Sequence, residues 1–126
     1  MSLLMSPGKY RQLADALGPA VDRSHLMPYP IAVTQNSGDE TVALYIVENA
    51  RGRACYGGQT APAGRLPGAA ARRLRQHLRE RPKARSWSRY WVIPIQEGVD
   101  DGTLNELERA LNARIGVPLR RKRPLR

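Results

Sequence analysis

The chain has 126 residues, enough for one globular domain, and apolar residues make up 41% of it. A single cysteine excludes an intramolecular disulfide framework, and two histidines exclude a finger-type zinc site. The longest apolar run, residues 42–47, is too short for a membrane-spanning helix or a signal-peptide core. We therefore expect a protein without membrane segments in a reducing, cytoplasmic compartment.

The positive charge is concentrated in one half of the sequence. Lys and Arg number 21 against 11 Asp and Glu, a formal net charge of +10. Residues 1–64 are neutral, so residues 65–126 carry the whole excess. A one-sided positive field attracts polyanions, which include nucleic acid, anionic lipid and acidic protein. We expect a nucleic-acid partner, and an arginine-rich solvated surface is the simpler alternative.

The first 40 residues are predicted to form an arm with one short helix. Ser6 is a suitable N-cap, Pro7 suits the first helical position, and Gly18 ends the helix. Prolines and a turn-rich segment make the remainder of the arm irregular, with room for a short strand at residues 31–34.

Three strands are predicted for the central part of the chain. Residues 41–47 are rich in β-branched and aromatic side chains, and residues 53–59 follow after a turn, so the two segments form a β-hairpin. Residues 87–95 form the third strand. Apolar side chains occur at both the odd- and the even-numbered positions of this strand, which is typical of burial on both faces.

Two helices are predicted after the hairpin. The first spans residues 69–81, between a loop rich in Gly, Pro and Ala and a terminating proline. The second has Asp101 or Thr103 as its N-cap and ends at Gly116. Its apolar stripe has helical spacing and comprises Leu104, Leu107, Leu111 and Ile115.

Residues that can carry chemistry lie on each of these elements. Tyr45 is on the first strand and Tyr56 on the second, so the hairpin brings the two rings side by side on one sheet. Arg73 and His77 are four residues apart and share one face of the following helix. Glu108 lies on the last helix.

This order of residues resembles the GIY-YIG nuclease family, which has two tyrosine motifs on adjacent strands, an arginine and often a histidine on a helix, and a glutamate on a later helix. The resemblance covers residues 41–119. The motifs here read Ala-Leu-Tyr and Tyr-Gly-Gly, so each keeps its tyrosine. The resemblance implies an α+β domain with a three-stranded antiparallel sheet flanked by helices. The arm of residues 1–40 precedes this domain, and residues 120–126, five of which are basic, are expected to form a disordered tail.

The resemblance implies a metal-dependent endonuclease that hydrolyses phosphodiester bonds of DNA, with RNA as the alternative substrate. Glu108 would bind Mg²⁺ or Mn²⁺ together with water and phosphate oxygens. Arg73 would hold the scissile phosphate, although Arg65 or Arg72 can occupy the equivalent position. Sequence specificity would be low, or would come from a partner protein.

The general base is not decided by the sequence. Tyr45, Tyr56 and His77 are the possible residues, because each can position or deprotonate a water molecule. Each is also an ordinary strand or helix residue when taken alone. A non-catalytic nucleic-acid-binding module that keeps the nuclease fold is therefore the alternative function, and an interaction module for an acidic protein is a third.

The predicted nucleic-acid contacts are basic side chains on the helix of residues 69–81, on the segment after it and in the C-terminal tail. Each phosphate that they neutralise should steepen the fall of affinity by about 0.9 log units per log unit of salt. The oligomeric state does not follow from the sequence. The predicted contacts are Arg72, Arg75, Arg79, Arg81, Lys83, Arg85, Arg89, Arg120, Arg121, Lys122 and Arg123.

Overall fold

The computed structural model describes residues 2–80 and 85–117. Within these residues, helices and strands combine in one α+β unit, which confirms the predicted class. None of the helices in the described residues is long and apolar enough to cross a membrane. In chain order the elements are α1 (Pro7–Leu17), β1 (Ile31–Ala32), β2 (Ala43–Glu48), β3 (Ala54–Gln59), α2 (Ala69–Glu80), β4 (Arg89–Pro94) and α3 (Asp101–Ile115).

The strands form an antiparallel sheet in the order β1-β4-β2-β3. The β2–β3 hairpin pairs Tyr45 with Gly58 and Val47 with Tyr56. Strand β4 pairs with the other side of β2, and the two residues of β1 add to the outer edge of β4. The predicted three-stranded sheet is therefore corrected to four strands in the described residues. The additional strand arises because the N-terminal segment satisfies backbone groups at the free edge of β4.

Helices cover both faces of the sheet. On one face, α1 and α3 pack on Leu44 and Ile46 of β2 and on Trp91 of β4. On the other face, α2 packs on Tyr45 and Val47. Every residue of β2 and all but the first residue of β4 are buried, as expected for strands that are covered on both sides.

The N-terminal segment belongs to the same core. Helix α1 begins at the Ser6 cap and ends at Gly18, as predicted. Tyr10 is fully buried on α1, and burial raises the pKa of its phenol to about 12. The Tyr10 hydroxyl donates to the Val92 carbonyl and accepts from the Met27 amide, so it connects α1 both to the sheet and to the chain that follows the helix. The first 40 residues thus complete the domain.

The N-cap of α3 is Asp100. This residue has an extended backbone, and its carboxylate accepts a hydrogen bond from the Thr103 amide at 2.7 Å. The sequence predicts Asp101 or Thr103 as the cap. Both residues lie inside the helix, so neither is the last non-helical residue, which is the one that caps it. The helix ends as predicted at Gly116, whose φ of 74° is in the left-handed region that favours glycine.

Candidate functional site

Three of the predicted site residues meet on the face of the sheet that α2 covers. The Tyr56 hydroxyl and His77 Nε2 are 3.1 Å apart, a hydrogen bond whose direction depends on the histidine tautomer. The Tyr45 ring lies 6.2 Å from the Tyr56 ring and 6.5 Å from the His77 ring, measured between centroids. Tyr45 is 0% exposed, Tyr56 5% and His77 2%. They form a closed cluster beneath α2.

Gly58 provides the space that the Tyr45 ring occupies. A Cβ atom on Gly58 would lie 2.7 Å from both Cζ and the hydroxyl oxygen of Tyr45, and 3.0 Å from Cε2 of Tyr56. Favourable carbon contacts are about 3.5–4.0 Å long. The second glycine of the Tyr-Gly-Gly motif is therefore required by the side chain of the paired strand.

Trp87 closes the cluster and is a site residue that the sequence analysis did not identify. Its ring centroid lies 5.1 Å from that of Tyr56 and 6.1 Å from that of His77. Trp87 is 8% exposed. Its position at the start of a predicted strand carries no signal for this contact, because ring packing across elements is decided by the tertiary fold.

The structure distinguishes the three arginines that the sequence leaves as alternatives. Arg65 is exposed, and its guanidinium pairs with the Asp101 carboxylate at 2.9 Å. Arg72 is also exposed, and its Nε donates to a backbone carbonyl at 3.0 Å. Arg73 is partly buried, and its Nη1 donates to Gln76 at 2.8 Å. The buried Nε of Arg73 has no hydrogen-bond partner among the described residues, so it is an unsatisfied donor in this part of the fold.

Glu108 lies close enough to Arg73 for their charges to interact. Burial raises the pKa of Glu108, and the neighbouring Arg73 and Arg109 guanidiniums offset only part of this rise. Glu106, two residues earlier on α3, is exposed. The described residues contain no group of three or more His, Cys, Asp or Glu side chains that could hold a metal. A cation at this position would therefore depend on one carboxylate, water and ligand oxygens, a set that suits Mg²⁺.

Asn112 holds α3 against β3 and was not among the predicted site residues. Its Nδ2 donates to the Gly57 carbonyl at 3.2 Å and to the Glu108 carbonyl at 2.9 Å. A Cβ atom on Gly57 would lie 3.0 Å from Asn112 Oδ1, so this glycine permits the close approach of the helix. The apolar stripe of α3 gives no signal for Asn112, because a buried asparagine next to such a stripe resembles an ordinary polar position.

A preceding segment sets the position of α2. The amides of the first three residues of α2 donate to the Glu40 carbonyl, the Glu40 carboxylate and the Ser37 hydroxyl at 3.1 to 3.3 Å. These bonds satisfy donors that a helix cannot satisfy internally. They therefore help to fix the register of the helix that carries Arg73 and His77.

The predicted nucleic-acid contacts differ in how much of their charge is available. Arg79 and Arg85 are exposed. Arg75 donates a hydrogen bond to a neighbouring asparagine. The Arg89 guanidinium pairs at 2.8 Å with Glu48, which is 1% exposed, so much of its charge is neutralised within the fold. The remaining predicted contacts lie outside the described residues and are Arg81, Lys83, Arg120, Arg121, Lys122 and Arg123.

The candidate residues comprise a buried tyrosine–histidine pair beneath α2, an arginine on α2 with an unsatisfied N–H group, and a partly buried carboxylate on α3. Such a set can hold an anion at the guanidinium and a hard cation at the carboxylate. No protein-family model, no curated protein and no solved structure matches this chain. The function must therefore be inferred from the geometry and chemistry of the site.

Proposed function

We propose that the protein is a metal-dependent endonuclease that hydrolyses phosphodiester bonds of DNA through a GIY-YIG-like site, with RNA as the alternative substrate. The observation that supports this most directly is the unsatisfied Nε of Arg73, a residue on the same helix as His77 whose charge interacts with that of Glu108. The buried Nε of Arg73 lacks an acceptor among the described residues. A phosphate oxygen that reached this atom after movement of the neighbouring side chains would supply one and remove a cost of about 1–3 kcal/mol for the unsatisfied donor.

Glu108 is the residue that would hold Mg²⁺ or Mn²⁺. Burial disfavours its ionised form, so a divalent cation next to the carboxylate gains a ligand and removes that penalty. When bound, the ion supplies Lewis-acid stabilisation of the leaving oxygen. Arg73 binds the scissile phosphate and stabilises the charge that develops on it.

The Tyr56–His77 pair provides the route for a proton. Imidazole accepts protons near neutral pH, whereas a phenol with an ordinary pKa of about 10 is a poor base there. The hydrogen bond between the Tyr56 hydroxyl and His77 Nε2 allows Tyr56 to pass a proton from the attacking water to His77. Tyr45 packs against both rings and positions them.

Nicking of supercoiled plasmid tests this proposal, with Mg²⁺ or Mn²⁺ in one reaction and a chelator in the control. Glu108→Gln keeps the size and the helix propensity of the residue but removes its charge. We expect cleavage to fall by several orders of magnitude while DNA binding is retained. Glu106→Gln is the matched control, because Glu106 is exposed on the same helix and its loss should leave cleavage unchanged.

Arg73→Ala should behave differently from Glu108→Gln. It should lose about 10²- to 10³-fold in cleavage, as expected when a donor to the developing charge is removed, and it should also lose DNA affinity. Absence of nicking by the parent protein with either metal, across varied DNA and RNA substrates, would refute the nuclease proposal. Parental cleavage by both glutamate variants would instead refute the assignment of Glu108.

A non-catalytic DNA-binding module is the second candidate, and the burial of the cluster supports it. Tyr45, Tyr56 and His77 are at most 5% exposed, so direct contact with water or substrate requires their neighbours to move. The expected signature is salt-dependent DNA binding without nicking. In that case Glu108→Gln should bind DNA as tightly as the parent or more tightly, because a carboxylate without a metal repels phosphate.

A further inference from the structure

A basic cleft lies at the end of the sheet where β2 turns into β3. The β2–β3 turn forms one wall, and the segment that precedes β4 forms the other. The cleft is open and has a volume of about 500 Å³. Its lining includes Arg51 from the turn, Arg85 from the opposite segment, and Trp87.

The two arginines of the cleft keep their charge available. Both are exposed, and neither guanidinium makes an ion pair with an acidic side chain of the described residues. The acidic residue nearest to the cleft along the chain is Glu48. Its carboxylate is buried and already pairs with Arg89. The described part of the cleft therefore presents two uncompensated guanidinium groups.

Both walls of the cleft are fixed to the end of β2. The Asn49 side-chain oxygen accepts hydrogen bonds from the Arg51 and Arg53 amides at 2.9 and 3.1 Å, which holds the turn. The Ser88 amide donates to the Glu48 carbonyl at 2.9 Å, which holds the opposite segment. Little of the backbone has to be ordered when a ligand binds, so more of the interaction energy appears as affinity.

Trp87 connects the cleft to the candidate site. Trp87 is among the residues that line the cleft, and its ring packs against Tyr56 and His77 at centroid distances of 5.1 and 6.1 Å. A polyanion that lies in the cleft is therefore adjacent to the cluster. Guanidinium groups are well suited to phosphate, because their planar donors match its oxygens.

We infer that this cleft binds the sugar-phosphate backbone of DNA next to the cleaved bond, with Arg51 and Arg85 each contacting one phosphate. The inference rests on the proposed function, since it takes DNA as the polyanion and the cluster as the place of cleavage. Arg51 lies in the neutral half of the sequence, so charge counting does not identify it as a contact. Arg89, although close in sequence, is excluded as a contact because its guanidinium neutralises Glu48.

Binding of a labelled DNA duplex, followed by fluorescence anisotropy from about 50 to about 200 mM salt, tests the inference. Arg51→Ala and Arg85→Ala should each reduce the slope of log affinity against log salt by about 0.9, and the double variant by about 1.8. Arg11→Ala is the matched control. Arg11 is exposed on α1, which covers the opposite face of the sheet, so its removal should leave the slope unchanged.

Thermal unfolding of each variant should coincide with that of the parent, because both arginines are exposed. A double variant that folds normally and keeps the parental slope would overturn the inference, even if the parent nicks DNA. A reduced slope in a protein that never nicks DNA would support the cleft as a DNA site and refute the nuclease proposal. The salt slope of Arg11→Ala provides a further check. If it falls as much as that of Arg51→Ala, the inference is also overturned, because removal of any exposed arginine would then have the same effect.

Discussion

Replacement of Gly58 by alanine tests how the two tyrosines are positioned. The added Cβ would lie 2.7 Å from Cζ and from the hydroxyl oxygen of Tyr45, about 1 Å closer than a favourable contact. Both of these atoms belong to a side chain of a residue that is 0% exposed, and its ring packs beside those of Tyr56 and His77. The Tyr45 ring therefore cannot turn into solvent without disrupting the cluster, and either the ring or strand β3 has to shift.

The magnitude follows from two opposing effects. Overpacking of a buried site costs about 1–3 kcal/mol. Replacement of a strand glycine by alanine returns about 0.5–1 kcal/mol, because the unfolded chain loses conformational freedom. We expect Gly58→Ala to destabilise the protein by about 1–2 kcal/mol, which for a domain of this size lowers the Tm by about 4–8 °C. A displacement of about 1 Å in the cluster should also reduce DNA cleavage by about 10²-fold.

Thermal unfolding and plasmid nicking measure the two effects separately. Gly98→Ala is the matched control, because a Cβ atom there meets nothing within 4 Å and its φ is not in the left-handed region. DNA binding by Gly58→Ala should remain near the parental level, since the cleft arginines do not contact Gly58. If Gly58→Ala matches Gly98→Ala in both stability and cleavage, the Tyr45 ring does not occupy the space above Gly58.

Two further predictions concern charged residues. Burial raises the pKa of Glu108, so the folded protein binds this proton more tightly than the unfolded chain and loses stability as the pH rises through the folded-state pKa. Glu108→Gln should therefore raise the Tm at pH 7. This gain should disappear below about pH 4.3, the pKa of a glutamate in the unfolded chain. A gain in Tm that stays constant from pH 7 to below about pH 4.3 would show that burial does not raise the pKa of Glu108. Arg89→Ala leaves the buried Glu48 carboxylate without its cation. Removal of one partner of a fully buried pair costs about 3–5 kcal/mol, and because the Arg89 side chain is 49% exposed we expect a smaller cost, about 2–3 kcal/mol in urea unfolding. The added substitution Glu48→Gln should recover part of that loss, and a failure to recover any of it would place the effect elsewhere.

Local sequence determined the order and the type of the elements. The strands contain β-branched and aromatic residues in short runs, and the Ser6 cap and Gly116 mark helix ends through bonds and dihedral angles that involve only nearby residues. The common face of Tyr45 and Tyr56 follows in the same way, because a short hairpin restricts the register of its strands.

Tertiary packing decided which residues meet at the site. The sequence left Arg65, Arg72 and Arg73 as alternatives. Only the structure shows that Arg65 pairs with Asp101, that Arg72 is exposed, and that Arg73 is partly buried and interacts with the Glu108 charge. Periodicity likewise could not reveal the contact of Trp87 with the cluster, the bonds of Asn112 or the cap that Glu40 supplies to α2. These interactions join residues distant in the chain, and the helical or strand period of either partner says nothing about the other. Helices cover both faces of one sheet, and these side chains come into contact only when the helices have packed on it.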